Sequence, residues 1–361
     1  IKLQKLENNM PRKLQKARLF ANRIKFSGDN LILVNDDNKH SEYLKNLFYS
    51  NELCVSKEVT PDLYDSLLRV YSRLGINSSE VEAFVYASPD LNAECYLGDT
   101  SNCIIRFSSS LIDILDKNEF EFVVGHELGH FLLSHQQACV TEKNLEYYIQ
   151  QRAQEISADR LGLIACDSLD IALKALLKTV SGLSNQHLRF DIGAFISQLQ
   201  KVSSDNGQNK LSSHPSVLVR CRALLWFSLN TSYINKNDCY TEDELLKLDS
   251  KIQKDLNKYT DGKSLSEIAE AKNNLAMWMA AKKIIEDGKF TKKKQTKFSN
   301  EFGTDNLNKF VGFVEDIELQ NVISNVSCKL ELAENKLKIL IPNNYKNELM
   351  LIRKRVGGIL D

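Results

Sequence analysis

The sequence predicts an α+β chain, mainly α-helical: a domain with a small edge sheet, followed by a helical C-terminal domain ending in a strand pair. Three observations carry this. Apolar residues recur at helical spacing over long stretches, as at Leu63, Leu67, Leu68, Tyr71 and Leu74. Strand-like runs are few and short, and 361 residues suffice for two domains. With 43% apolar and 26% charged residues the composition is that of an ordinary globular protein.

The elements follow in order. Gln4 to Ile24 reads as a basic, loosely amphipathic helix, and Leu31 to Val34 as a short strand before a polar turn at Asn35 to His40. Residues 1–50 therefore form a helical and extended N-terminal segment. Pro61 to Leu74 is a firmer helix. Val81 to Tyr86 and Cys103 to Phe107 are strand-like and bracket a turn-rich stretch, Ser88 to Ser101. Asp116 with Glu119 forms a capping box opening a helix whose core face is Phe120, Val123, Val124, Phe131 and Leu132. Further helices are expected at Leu145 to Cys166 and Leu169 to Val180. Ser203 to Ser213, with Gly207, is a loop, and Pro215 suits the first turn of a helix running to about Phe227. Asn230 to Asp238 is again polar, which places a boundary between a domain at 51–232 and another at 240–361. Thr241 to Phe310 is helical in pattern, while Val322 to Leu332 and Lys336 to Ile341 alternate like a strand pair.

Charge and cysteine usage exclude some classes. Lys plus Arg and Asp plus Glu both total 47, so no global field points to nucleic acid or an acidic membrane. The run Lys292-Lys293-Lys294 with Lys297 reads as a solvated helix face. No apolar run approaches the roughly 18 residues of a membrane span, and no signal peptide is visible, so a cytoplasmic location is expected. The eight cysteines contain no C-x-x-C pair and read as reduced, largely buried thiols.

The informative motif is His126-Glu127-Leu128-Gly129-His130. On a helix, residues four apart lie about 40° apart around the axis, so both imidazoles face one space. Zn²⁺ accepts such nitrogens, and Glu127 beside the ion could take a proton from water activated there. A catalytic zinc normally has three protein ligands and an open position. The metzincin completion fails because Leu133 and Gln136 stand where Gly and His are required. A carboxylate from the following helix is the other completion, with Glu142, Glu146 and Glu155 as candidates. Glu155 is favoured because Asp159, one turn on, could accept a hydrogen bond from the outer nitrogen of a ligating His. His135, five residues past His130, lies about 140° around an ideal helix and is expected on the surface. His40 and His187 have no ligand company and read as structural. His214, immediately before Pro215, either caps a helix entrance or reaches the metal site to stabilise a developing oxyanion, with Arg220 following.

These motifs, in this order, resemble the HtpX-like and CAAX-prenyl-protease-like family of zinc metalloendopeptidases, the gluzincins. The resemblance rests on His126 to His130, on Glu155 with Ala158-Asp159-Arg160, and on His214-Pro215-Ser216 with Arg220, and it covers roughly Asn51 to Phe227. It implies a zincin-like fold with one zinc held by His126, His130 and Glu155, Glu127 as general base, and Asp159 orienting a ligand. It also implies His214, steadied by Arg220, at the transition state. Asn92-Ala93 resembles the family's substrate-pairing edge strand, although Glu94 and Cys95 follow where an apolar or aromatic residue is usual. Polypeptides are the implied substrates. Without membrane helices, the chain resembles a soluble member. A second reading has His214 capping the zinc in a latent enzyme; a third, non-catalytic one makes the chain an interaction module with structural zinc. Leu275 to Phe310 resembles the small TerB-like helical domain through Ala280-Ala281, Asp287-Gly288-Lys289 and Phe302-Gly303, and the C-terminal domain is where a regulatory partner would be expected.

Overall fold

The computed structural model describes residues 10–29, 39–97, 102–135, 143–202, 211–230, 241–288, 290–315 and 318–360. It bears out a mainly helical α+β fold. The strand expected at Leu31 to Val34 and most of the Ser203 to Ser213 loop lie outside the described residues.

The elements are α1 (Arg12–Ile24), α2 (Lys39–Asn51), β1 (Leu53–Cys54), α3 (Pro61–Leu74), β2 (Val81–Tyr86), β3 (Ala93–Leu97), β4 (Cys103–Ser108), α4 (Ser109–Ile114), α5 (Lys117–Leu132), α6 (Leu145–Cys166), α7 (Leu169–Ser181), α8 (Ile192–Ser197), α9 (Val217–Ser228) and α10 (Glu242–Leu256). A π-helical turn at Asn257–Asp261 leads into α11 (Gly262–Glu286), α12 (Lys292–Phe302), α13 (Thr304–Glu315), α14 (Leu319–Leu340) and α15 (Tyr345–Leu360). Pro215 lies before α9 rather than in its first turn, since Ser216 is the N-cap residue.

Two compact units result. The first comprises residues 1–141, 149–206 and 212–260, and the second residues 142–148, 207–211 and 261–361. The helix α10 thus groups with the first unit. In the first unit the sheet has strand order β1-β2-β4-β3, with β2 and β4 parallel and β3 antiparallel to β4. Within the stretch read as turn-rich, Ala93 to Leu97 is therefore an edge strand. Alternation sends Ala93 and Cys95 onto the main core and Tyr96 onto the opposite face, with Phe48, Phe84 and Ile104. Glu94 shares that opposite face, where Arg106 Nη1 donates to its carboxylate at 2.5 Å. Cys95 Sγ lies 3.4 Å from Cys103 Sγ, both as free thiols.

The sequence explains why α5 starts and where it sits. Asp116 Oδ1 accepts from the Asn118 and Glu119 N–H groups at 3.0 Å, and Glu119 returns a bond to the Asp116 N–H at 2.8 Å. These are the orphan donors of a helix N-terminus, so the capping box is borne out. Almost every side chain of α5 is buried, because α3, α7 and the sheet pack on it and α6 lies against its glycines. Two arginines of α3 hold it: Arg69 Nε and Arg73 Nη1 donate to Glu121 at 2.6 and 2.7 Å. Against α6 the approach is closer than side chains permit. A Cβ on Gly129 would stand 3.0 Å from Ala158 Cα, and one on Gly162 would stand 2.8 Å from Phe122 O.

In the second unit, α11 packs against α14 and α15. The strand pair expected at Val322 to Leu332 and Lys336 to Ile341 is instead the single helix α14. Val322, Val326, Ala333 and Leu337 are its buried residues, spaced by four, seven and four, and Lys338 pairs with Glu334 one turn back at 2.9 Å. The apparent alternation came from local apolar–polar neighbours within a longer helical stripe. Among the described residues, no helix is long and apolar enough to cross a membrane.

Candidate metal centre

The motif helix α5 projects His126 and His130 onto α6, from which Glu155 and Asp159 project back. Three donor atoms converge. His126 Nε2 lies 3.2 Å from His130 Nε2, and Glu155 oxygens lie 3.5 and 3.3 Å from the two nitrogens. For metal–ligand bonds of about 2.0–2.1 Å, two ligands of a tetrahedral site stand about 3.3–3.4 Å apart, so separations of 3.2 to 3.5 Å, with one Glu155 oxygen towards each histidine, suit Zn²⁺. Among the described residues, His126, His130 and Glu155 are the group that could hold a metal ion.

The surrounding hydrogen bonds support the same fit. Asp159 Oδ1 lies 3.0 Å from His126 Nδ1. A carboxylate only accepts, so the proton of His126 is on Nδ1 and the lone pair of Nε2 points into the triangle. Glu155 Oε2 is buried and makes no hydrogen bond. The bare Nε2 of His126 thus faces this unbonded oxygen at 3.5 Å, and two acceptors set so close are the donor set of a cation.

Arg220 on α9 completes the wall. Its Nε and Nη2 donate to the two Asp159 oxygens at 2.8 and 2.6 Å, and Nη1 lies 3.4 Å from Glu155 Oε2. Burial would push both carboxyls up, but Arg220 outweighs it together with the histidines, holding Asp159 below and Glu155 well below the usual carboxylate range. Glu127 goes the other way. Burial raises it above its ordinary value, and the Glu155 charge adds to this against the pull of His126, His130 and Arg220. A buried carboxylate with a raised affinity for protons suits a general base.

His214 sits at the mouth, its side chain 61% exposed and Nε2 3.5 Å from Glu155 Oε1. Its Nδ1 pairs with Ser213 Oγ at 2.9 Å, while the hydrogen bonds of Arg220 go to Asp159. The His214 segment is fastened from below by Arg152, a buried residue whose Nη1 donates to Ser212 O at 2.6 Å. Asn92 precedes the edge strand β3, its N–H bonded to Ser108 Oγ at 3.0 Å, and Ala93 is the strand's first residue. Of the remaining carboxylates, Glu146 accepts from the Asn343 N–H within the second unit, and Glu142 lies outside the described residues. His187 is exposed in a turn, and the His40 side chain is not among those described.

His135 corrects an expectation. It is 5% exposed, not on the surface, and its Nδ1 lies 2.8 Å from His130 Nδ1. The helix ends at Leu132, and Ser134 adopts φ 59°, so the angle of an ideal helix no longer applies and the chain folds His135 back. Its Nε2 lies 2.8 Å from Asp29 Oδ2, and Gln150 Nε2 donates to Asp29 Oδ1 at 2.9 Å. Burial drives His135 down to about 4 despite Asp29. Asp29 and Gln150 carried no signal in the sequence, since neither belongs to a motif.

Residues 57–150 match Peptidase family M48. The chain is 36% identical over 94 residues to Metalloprotease YcaL of Escherichia coli (strain K12), covering 26% of this chain and 34% of that protein. To Metalloprotease LoiP of the same organism it is 33% identical over 87 residues, covering 24% and 31%. To the plastoglobule-localized metallopeptidase 48, chloroplastic, of Arabidopsis thaliana it is 25% identical over 211 residues, covering 50% and 60%. The match thus spans less than two thirds of each relative's own length. No solved structure matches the chain significantly. The stretch that matches Peptidase family M48 carries His126, Glu127 and His130.

Proposed function

We propose that the chain is a zinc-dependent metalloendopeptidase, with His126, His130 and Glu155 as the ligands of one zinc ion. The convergence of three acceptor atoms beside the buried carboxyl of Glu127 is the observation that carries this reading. When bound, zinc would polarise the scissile carbonyl and make water a nucleophile near neutral pH. Glu127 then takes the proton of the attacking water and hands it to the leaving amine. Asp159, itself clamped by Arg220, holds His126 in the orientation a ligand needs. His214 donates from Nε2 towards the developing oxyanion. A polypeptide substrate adds its backbone along β3, the edge strand among the described residues, with Asn92 and Ala93 at the start of the strand, a binding mode tolerant of sequence. Glu94 is turned to the far face of the sheet and leaves that edge to backbone pairing.

The test is Glu127→Gln. The variant is expected to keep stoichiometric zinc and lose cleavage of an unbiased peptide library by about 10²–10⁴-fold, the scale of a lost general base. Near wild-type proteolysis would sink the assignment. The structural-zinc alternative predicts no cleavage by either protein.

A second reading is favoured by one observation: exposed His214 already approaches the ligand carboxylate. Moved slightly inward, its imidazole would cap the open metal position and leave the enzyme latent. His214→Ala separates the two roles, because loss of activity supports the oxyanion role and a gain supports the cap.

A further inference from the structure

The third histidine of the α5 region has a task in the site that its sequence position hides. We propose that Asp29 and His135 form a buried relay that fixes the tautomer of His130 and so aims its Nε2 lone pair at the metal, making both residues positioning residues for the centre. This rests on the reading of His130 as a ligand.

Asp29 is a buried carboxylate and only accepts, and it faces His135 Nε2 at 2.8 Å. That nitrogen therefore carries the proton. With its single N–H turned to Asp29, His135 presents Nδ1 to His130 as an acceptor. It faces His130 Nδ1 at 2.8 Å, and two bare nitrogens at that distance would repel, so His130 Nδ1 carries the proton. The remaining nitrogen of His130, Nε2, is left with a lone pair in the triangle with His126 and Glu155. Reversing one link reverses them all: a donor at position 29 would put the proton of His130 on Nε2, where it excludes a metal.

The other half of the centre has the same logic one link shorter, with Asp159 acting directly on His126 Nδ1. The two carboxylates come from either side of the motif in sequence, Asp159 lying 33 residues after His126 and Asp29 106 residues before His135. The orientation of Asp29 is fixed by Gln150 Nε2, which donates to the other oxygen at 2.9 Å. None of these groups touches the open side of the site, so they act through His130 and not on substrate. Partners at this remove typically matter by about 10–100-fold in metal affinity.

The experiment compares the full chain with His135→Gln, His135→Phe and Asp29→Asn. Zinc affinity is read by chelator competition, and the His130 tautomer by ¹⁵N-resolved NMR of the metal-free protein. A glutamine can present its carbonyl to His130 and its amide N–H to Asp29, preserving the direction of the relay. Phenylalanine keeps the ring but not the hydrogen bonds. The proposal expects His135→Gln to stay within about threefold of wild type, while His135→Phe loses about 10–100-fold of zinc affinity. It also expects wild-type His130 to be protonated at Nδ1, and Asp29→Asn to shift that proton towards Nε2. A packing role would predict the opposite ranking, with His135→Phe near wild type; that result, or an unmoved His130 tautomer in both His135→Phe and Asp29→Asn, overturns the relay. If one variant fails to fold, the wild-type tautomer still decides, since His130 protonated at Nε2 rules the relay out. If wild type binds no zinc, the metal reading fails, while the tautomer of the metal-free protein still tests the relay separately.

Discussion

Arg220 shows what a single side chain contributes to this centre. It is the cation facing two buried carboxylates, Asp159 through two hydrogen bonds and Glu155 at 3.4 Å. Replacing it by Ala leaves both charges uncompensated, a change that typically costs about 3–5 kcal/mol when one partner of a buried pair is removed. Lysine restores the charge without the planar fork that grips both Asp159 oxygens. Arg220→Lys is therefore expected to fold but to bind zinc about tenfold more weakly or worse, checked by chelator competition; unchanged affinity would remove Arg220 from the positioning role. The resemblance assigned Arg220 to His214, whereas its hydrogen bonds go to Asp159. Chain order shows that an arginine follows a histidine, but not which of two neighbouring groups its guanidinium will reach.

At the scale of elements, α5 and α6 are spaced by glycine. Gly129 lies within the motif, and a methyl group there would press on Ala158 Cα at 3.0 Å and Leu161 Cδ1 at 3.1 Å, which are backbone and packed core. Gly129→Ala is expected to destabilise by about 1–3 kcal/mol, the usual cost of overpacking. It should also weaken zinc binding, because α6 carries Glu155 and Asp159. Denaturant unfolding and metal titration check both, and a loss of stability with full affinity would show that the helices accommodate the strain elsewhere. Asp116→Ala is the contrast: losing the cap should cost about 0.5–2 kcal/mol and leave the site geometry in place. The cap was legible because it is a four-residue pattern, as were the starts and ends of α3, β2 and α6. The misread elements failed for physical reasons. Alternation in Val322 to Ile341 was a fragment of a helical stripe, and the His135 angle assumed a helix continuing past Leu132, where the chain turns at Ser134. Arg18 Nη1 donates to Ser134 Oγ at 3.0 Å at that turn, a contact from 116 residues away.

At the scale of the molecule, the first unit is joined through a buried charge next to the site. Arg160, adjacent to Asp159, pairs with Asp249 of α10, and its Nη1 donates to Ile24 O at 2.9 Å; Asp249 also accepts from the Ser27 N–H at 2.8 Å. This links α1, α6 and α10 at a point where Arg160 and Asp249 are almost fully buried. Asp249→Ala is expected to cost about 3–5 kcal/mol, seen as a lowered denaturant midpoint, since it strands Arg160 without its anion. Zinc should act in the opposite direction on the same unfolding transition. Zinc at a hundred times its dissociation constant should add about 2.7 kcal/mol, reversed by chelator and absent in Glu155→Ala. No zinc-dependent stabilisation of the wild-type chain would count against the metal centre itself.

What the sequence determined by itself was whatever short-range geometry enforces. Two histidines four apart must share a helix face, Asp116 and Glu119 must meet across one turn, and Glu155 and Asp159 must lie along one side of α6. Those constraints hold in any helix, so they are readable without a fold. The tertiary structure alone decided that Glu155 closes a triangle with His126 and His130, that Arg220 clamps Asp159, and that Asp29 reaches His130 through His135. These contacts cross from about 30 to more than 100 residues of chain, and they depend on how closely helices approach and where each one stops. No periodicity records either quantity.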